Sequence, residues 1–126
     1  MLNGFKVITL CGSTKYATEF RNLAEELTLD GNIVLSPYIF SHTNNMYIDD
    51  ETNEMLLNIQ KAKIDISDCV FIINVDDYIG ENTRKEIEYA LMHNKEIKLL
   101  FDTPETKAKI CMLKEKLLKK GNQNRL

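Results

Sequence analysis

Four short runs of apolar, β-branched residues constrain this chain more than anything else in it: "FKVITL" (5–10), "IVLS" (33–36), "CVFIINV" (69–75) and "EIKLLF" (96–101). The first reads as apolar on both faces, the pattern of a strand buried in a parallel sheet rather than one that shows a side to water. Between them the period lengthens to that of a helix. Phe20, Leu23, Ala24 and Leu27 recur on one face after Thr14, and Leu56, Ile59, Ala62 and Ile66 do so before the third run. Further helices are expected from about Thr83 to His93 and from about Pro104 to Lys119. Strands that alternate with helices imply right-handed crossovers and a sheet covered on both faces. The expectation is an α/β fold, a small doubly wound parallel sheet of four to five strands in the order 2-1-3-4, as one domain spanning 1–126.

The composition removes several classes of function. A formal net charge of −3 gives no general attraction to nucleic acid or to anionic membranes. The basic end "KAKICMLKEKLLKKGNQNRL" reads as a solvated helix face. No run approaches the roughly 20 apolar residues that cross a membrane, and no basic-then-apolar leader is visible. Cys11, Cys69 and Cys111 are odd in number and widely spaced, which argues against a disulfide framework and a zinc site. Cys11 and Cys69 read as small buried hydrophobes, and a cytoplasmic location is expected.

In a sheet ordered 2-1-3-4 the winding reverses between the first and third strands, and ligands bind outside the strand carboxyl ends at that point. Two loops meet there, "CGSTK" (11–15) and "DDYIGENTRKE" (76–86). In the first, Gly12 allows close backbone approach, while Ser13, Thr14 and Lys15 offer donors and a charge to a phosphate or carboxylate. Ser13 or Thr14 equally suits a plain helix cap. In the second, Glu86 suits either a capping-box position behind Asn82 or Thr83, or a carboxylate aimed into a pocket. Together the loops would hold an anionic tail and direct a carboxylate at a reacting carbon.

The "LCGS" turn before an amphipathic helix, "ISDCVFIINV", and "ExxYA" after a glycine turn resemble the nucleoside 2-deoxyribosyltransferase superfamily, nearest in chemistry to the 2′-deoxynucleoside 5′-monophosphate N-glycosidases. The resemblance implies cleavage of an N-glycosidic bond in a nucleotide or deoxynucleotide, by hydrolysis or deoxyribosyl transfer. Glu86 aligns with the nucleophile of that family, with Asn82 and Glu88 where it has glycines, and Ser13 and Lys15 match its phosphate contacts. The contact to the sugar 5′-group falls on Gly80, so its backbone N–H or Asn82 would serve. Thr9 stands where the family has an aromatic hydroxyl, and Gln60 where it has an aspartate that assists the leaving base; Asp65 is the candidate substitute, and Asp68 is expected to end its helix. Tyr38, Phe40, His42 and Tyr47 in the long loop are candidates to stack on a base. Tyr89 and Met92 read as core or subunit contacts. No cofactor and no metal are expected, His42 having no carboxylate or cysteine at ligand spacing. A homodimer or higher homo-oligomer is implied. The alternative is a nucleotide-binding or nucleotide-sensing module without turnover.

Overall fold

The computed structural model describes residues 1–37 and 48–124. Tyr38, Phe40, His42 and Tyr47, the candidate base-stacking residues, lie outside the described residues. The chain runs β1 (Val7–Gly12), α1 (Ala17–Leu29), β2 (Ile33–Leu35), α2 (Asp50–Asp65), β3 (Cys69–Ile73), a single 3-10 turn (Val75–Asp77), α3 (Glu81–Met92), β4 (Glu96–Leu99) and α4 (Pro104–Asn124). The described strands form one parallel sheet in the order β2-β1-β3-β4, as the alternation of runs implied. Among the described residues no helix is long and apolar enough to cross a membrane.

Alternation along the central strands divides the core in two. Ile8 and Leu10 of β1 and Cys69 and Ile73 of β3 pack against Phe20 and Leu23 of α1. On the other face Cys11, Val70 and Ile72 meet Ile64 of α2 and Ile87 and Ala90 of α3, flanked by Ile110 and Leu113 of α4. Register pairs Cys11 with Ile72 and Gly12 with Ile73, so β1 and β3 end side by side. Their two following turns therefore open on the same edge.

The second helix departs from its expected orientation. Its buried residues are Gln60 and Ile64, whereas Ile59 and Ile66 are 43% and 59% exposed. The stripe Leu56–Ile59–Ala62–Ile66 is thus not the core face. A buried glutamine interrupts the true face, and a polar side chain there hides it from any hydrophobic pattern.

A compact polar network sets the turn after β3. Asn74, fully buried, donates from Nδ2 to the Phe101 carbonyl (2.7 Å) and to Thr106 Oγ1 (3.0 Å), and its Oδ1 accepts from the Phe101 N–H (2.9 Å). Asp76 and Asp77 then take left-handed φ values of 53° and 60°. Asp77 is tied down by the hydroxyls of Thr103 and Thr106, and these bonds hold its carboxyl below the usual range. The loop after β4 and the first turn of α4 in this way fix where α3 begins.

Candidate functional site

The carboxyl ends of β1 and β3 open into a cleft of about 610 Å³, within the range of small-molecule pockets. One wall is the turn after β1, with Gly12, Ser13 and Thr14; the opposite wall is Gly80, Asn82 and Glu86 at the start of α3. Helix α2 closes the side through Leu56, Gln60 and Lys63, and Tyr78 stands at the mouth. Six of the eight candidate residues named from the sequence therefore share one cavity.

Helix capping does not account for these side chains. Helix α1 begins at Ala17, not near Thr14; its N-cap is Tyr16 and no side chain caps it. Ser13 instead offers its carbonyl to the Tyr16 N–H (3.1 Å), leaving its hydroxyl out of the helix start. Helix α3 begins at Glu81, its N-cap is Gly80, and again no side chain caps it. Glu86 thus lies a turn and a half into the helix, well past the capping-box position, and Asn82 and Thr83 are inside the helix rather than caps. The uncapped start of α3 leaves N–H groups in the cleft, beside a positive dipole end that suits an anion.

Glu86 is only partly exposed. Burial raises its pKa from the ordinary 4.5 to about 7, and the neighbouring Cys11 thiol holds that rise back. Cys11 is wholly buried; burial, and then the Glu86 charge, push its thiol well up, so it stays protonated and faces the carboxylate as a neutral group. Cys11 is more than the plain hydrophobe its apolar surroundings suggested. It is the β1 side chain that meets Glu86. The Thr9 hydroxyl turns the other way, to the Lys63 carbonyl (3.1 Å) and Ser67 Oγ (2.5 Å).

Gly12 has a different reason for being glycine from the one expected. A Cβ there would lie 3.0 Å from both Cβ and the carbonyl oxygen of Ile73 and 3.4 Å from Phe20. The missing side chain lets β1 close on β3 and α1, rather than admitting a ligand.

Two candidates stand outside the cavity. Asp65 ends α2 just before β3, at the amino edge of the sheet, and its carboxylate accepts from the Tyr89 hydroxyl (2.6 Å). The crossover that carries α2 across the sheet puts its last residue at the far end from the cleft, so Asp65 has no path to a leaving group. Lys15 extends from the first turn over the Tyr78 ring, with Nζ 4.0 Å from its centroid, and sits at the rim. The cation that lines the cleft is Lys63, whose Nζ donates to the Ser36 carbonyl (2.7 Å). Its spacing of three from Gln60 put both on one helix face, a signal the apolar reading of α2 obscured. Asp68 does not end α2 but takes the Val7 N–H (2.8 Å), anchoring the start of β1. Glu88 leaves the cleft altogether and pairs with Arg84 (2.6 Å), which also meets Glu81 (3.0 Å).

The chain matches no protein-family model and no curated protein.

Proposed function

We propose that this protein cleaves the N-glycosidic bond of a nucleotide or deoxynucleotide, with Glu86 as the carboxylate that meets the anomeric carbon. The observation that carries the reading is the shared cleft: a desolvated carboxylate on α3 opposite a serine-bearing turn, beside an uncapped helix start. As the C1′–N bond breaks, its electron pair leaves with the base and positive charge grows on the sugar. A poorly hydrated carboxylate stabilises that charge more strongly than a hydrated one, and attack by its oxygen gives a glycosyl ester. Water, or a second base, then takes the sugar from Glu86. Ser13, Thr14 and the α3 N–H groups hold the 5′-phosphate, with Lys63 adding charge. Asp65 is excluded by position and Gln60 is an amide, so the departing base takes its proton from water.

Incubation with a panel of ribo- and deoxyribonucleoside monophosphates, with free base followed by chromatography, tests this reading directly. If the ionised carboxylate is the reactive form, kcat/KM climbs about tenfold per pH unit below pH 7 and levels off above it. A profile that falls through pH 7 would make Glu86 a proton donor instead. The amide at Gln60 favours one second reading, a nucleotide-binding module without turnover. Thermal stabilisation by nucleotides without release of base would carry it.

A homo-oligomer and a cytoplasmic setting belong to the same proposal. Met55, Ile59 and Ile66 expose an apolar stripe that runs the length of α2, from Ile59 in the cleft lining to its C-cap at the far end, where a second copy would cover it. Sedimentation velocity is expected to show a dimer or larger, and Ile66→Lys to lower the assembly state. A parent protein that sediments as a monomer at micromolar concentration overturns this part.

A further inference from the structure

Gln60 is 95% buried by its 5% exposure, yet it lines the cleft, and its two amide atoms have different fates. Nε2 donates to the Leu10 carbonyl (3.1 Å) and approaches Cys11 Sγ (3.6 Å). Oε1 is buried with no hydrogen-bond partner among the described residues. Turning the amide over would not repair this, because it would set an oxygen against the Leu10 carbonyl, acceptor to acceptor. The β1 backbone therefore locks the amide with its acceptor left over. Buried acceptors are nearly always paired, so an orphan on the wall of a ligand cavity calls for a partner that arrives with the ligand.

From this geometry we infer that Gln60 is a specificity residue, whose Oε1 accepts a hydrogen bond from a neutral N–H or O–H of the ligand, close to the bond that Glu86 attacks. The inference rests on the nucleotide reading above but concerns recognition rather than chemistry. Cys11 contacts both Gln60 and the Glu86 carboxylate, so the donor it recognises lies near the sugar–base junction. Two groups of a nucleotide supply a neutral donor there: a sugar hydroxyl, or an N–H on the base edge. An acidic side chain in this position would be ambiguous, accepting when ionised and donating when protonated. The amide accepts at every pH, and a ligand that offers only acceptors there leaves Oε1 unpaired. A site built to bond a donor rejects an analogue lacking it far more sharply than an apolar pocket rejects a missing methylene.

The experiment is a coupling measurement by titration calorimetry on the full chain, with the parent protein and Gln60→Leu. The probes are guanosine 5′-monophosphate, its 2′-deoxy and 2′,3′-dideoxy counterparts, and the 1-methylguanine and N2,N2-dimethylguanine ribonucleotides, which lack the N1–H and the N2 amino donors respectively. Gln60→Leu is expected to lose about 10- to 100-fold in affinity for the probe that carries the recognised donor, and little for the probe lacking it. Loss that persists with the methylated bases but vanishes with a deoxy probe assigns the sugar; loss that persists with the deoxy probes but vanishes with a methylated base assigns the base edge. Equal loss across all probes overturns the inference, while leaving nucleotide binding in place. Should the leucine variant fail to fold, Gln60→Met and Gln60→Glu serve. Methionine is expected to repeat the leucine result. Glutamate is expected to restore affinity for the donor probe only at pH values where it is ionised, and a pH-independent glutamate variant counts against Gln60. Parent protein that binds no nucleotide overturns the nucleotide reading itself; binding without release of base overturns only the chemistry and leaves the Gln60 comparison to be read.

Discussion

Replacing Glu86 with alanine is expected to lower the rate of base release by about 10³-fold or more, because the carboxylate proposed to meet the anomeric carbon is gone. Glu86→Gln removes the charge and keeps the shape, and it should be nearly as inactive. The glutamine variant separates catalysis from folding. Burial lets the folded protein hold the Glu86 proton up to about pH 7, whereas the unfolded chain releases it near the ordinary 4.5. Between those values the folded state binds the extra proton, so the stability that the neutral form provides is lost as pH rises towards 7. Above pH 7 the parent carries an ionised, poorly hydrated carboxylate, and below about 4.5 it does not. Glu86→Gln should therefore melt several degrees higher than the parent at pH 8, with a gain of about 2 kcal/mol, and lose that advantage at pH 4.5. An inactive variant that is also more stable is the signature of a carboxylate kept for chemistry at a cost in stability. Base release by Glu86→Ala within about tenfold of the parent would take this carboxylate out of the reaction.

The largest stability effect is expected at Asn74→Ala. That side chain, itself fully buried, satisfies both the N–H and the carbonyl of the half-exposed Phe101 and bonds the buried Thr106 hydroxyl. Alanine removes all three bonds and leaves a void at a fully buried position, at a cost of about 3 kcal/mol. For a chain of this size that lowers the melting temperature by about 10 °C, read by circular dichroism. Lys114→Ala, on the exposed side of α4, is the control and should stay within about 0.5 kcal/mol of the parent. The network also seats the left-handed pair Asp76–Asp77, so loosening it frees the start of α3 and the carboxylate that α3 carries. A drop of less than about 3 °C would mean that other contacts hold the turn.

Several features of the site were legible before any coordinates. The pairing of "CGSTK" with "DDYIGENTRKE" followed from strand order alone, because a reversal in winding between β1 and β3 leaves only those two turns at that edge. Gly12, Ser13, Thr14, Gly80, Asn82 and Glu86 all line the resulting cleft. Lys15 and Asp65 did not follow, for different reasons. A surface lysine is free to swing, and this one settles on the Tyr78 ring. Asp65 shares a helix with Gln60, but five residues of helix carry it away from the cleft, towards the amino edge of β3. The apolar pattern misplaced α2 at the point where a buried glutamine serves the cavity instead of the core. Sequence rules fail most readily where function overrides packing.

By itself the sequence determined the α/β class, the strand order and the edge at which the cleft opens. Those follow from periodicity and chain handedness, which are local properties or rules of connection. Only the tertiary structure decided that Cys11 rather than Thr9 meets Glu86, that both helix starts lack side-chain caps, and that Gln60 is buried with its acceptor unpaired. Each of these depends on which way a side chain faces once two distant elements have packed. Desolvation, and with it the pKa of Glu86, arises from neighbours that adjacency along the chain does not specify.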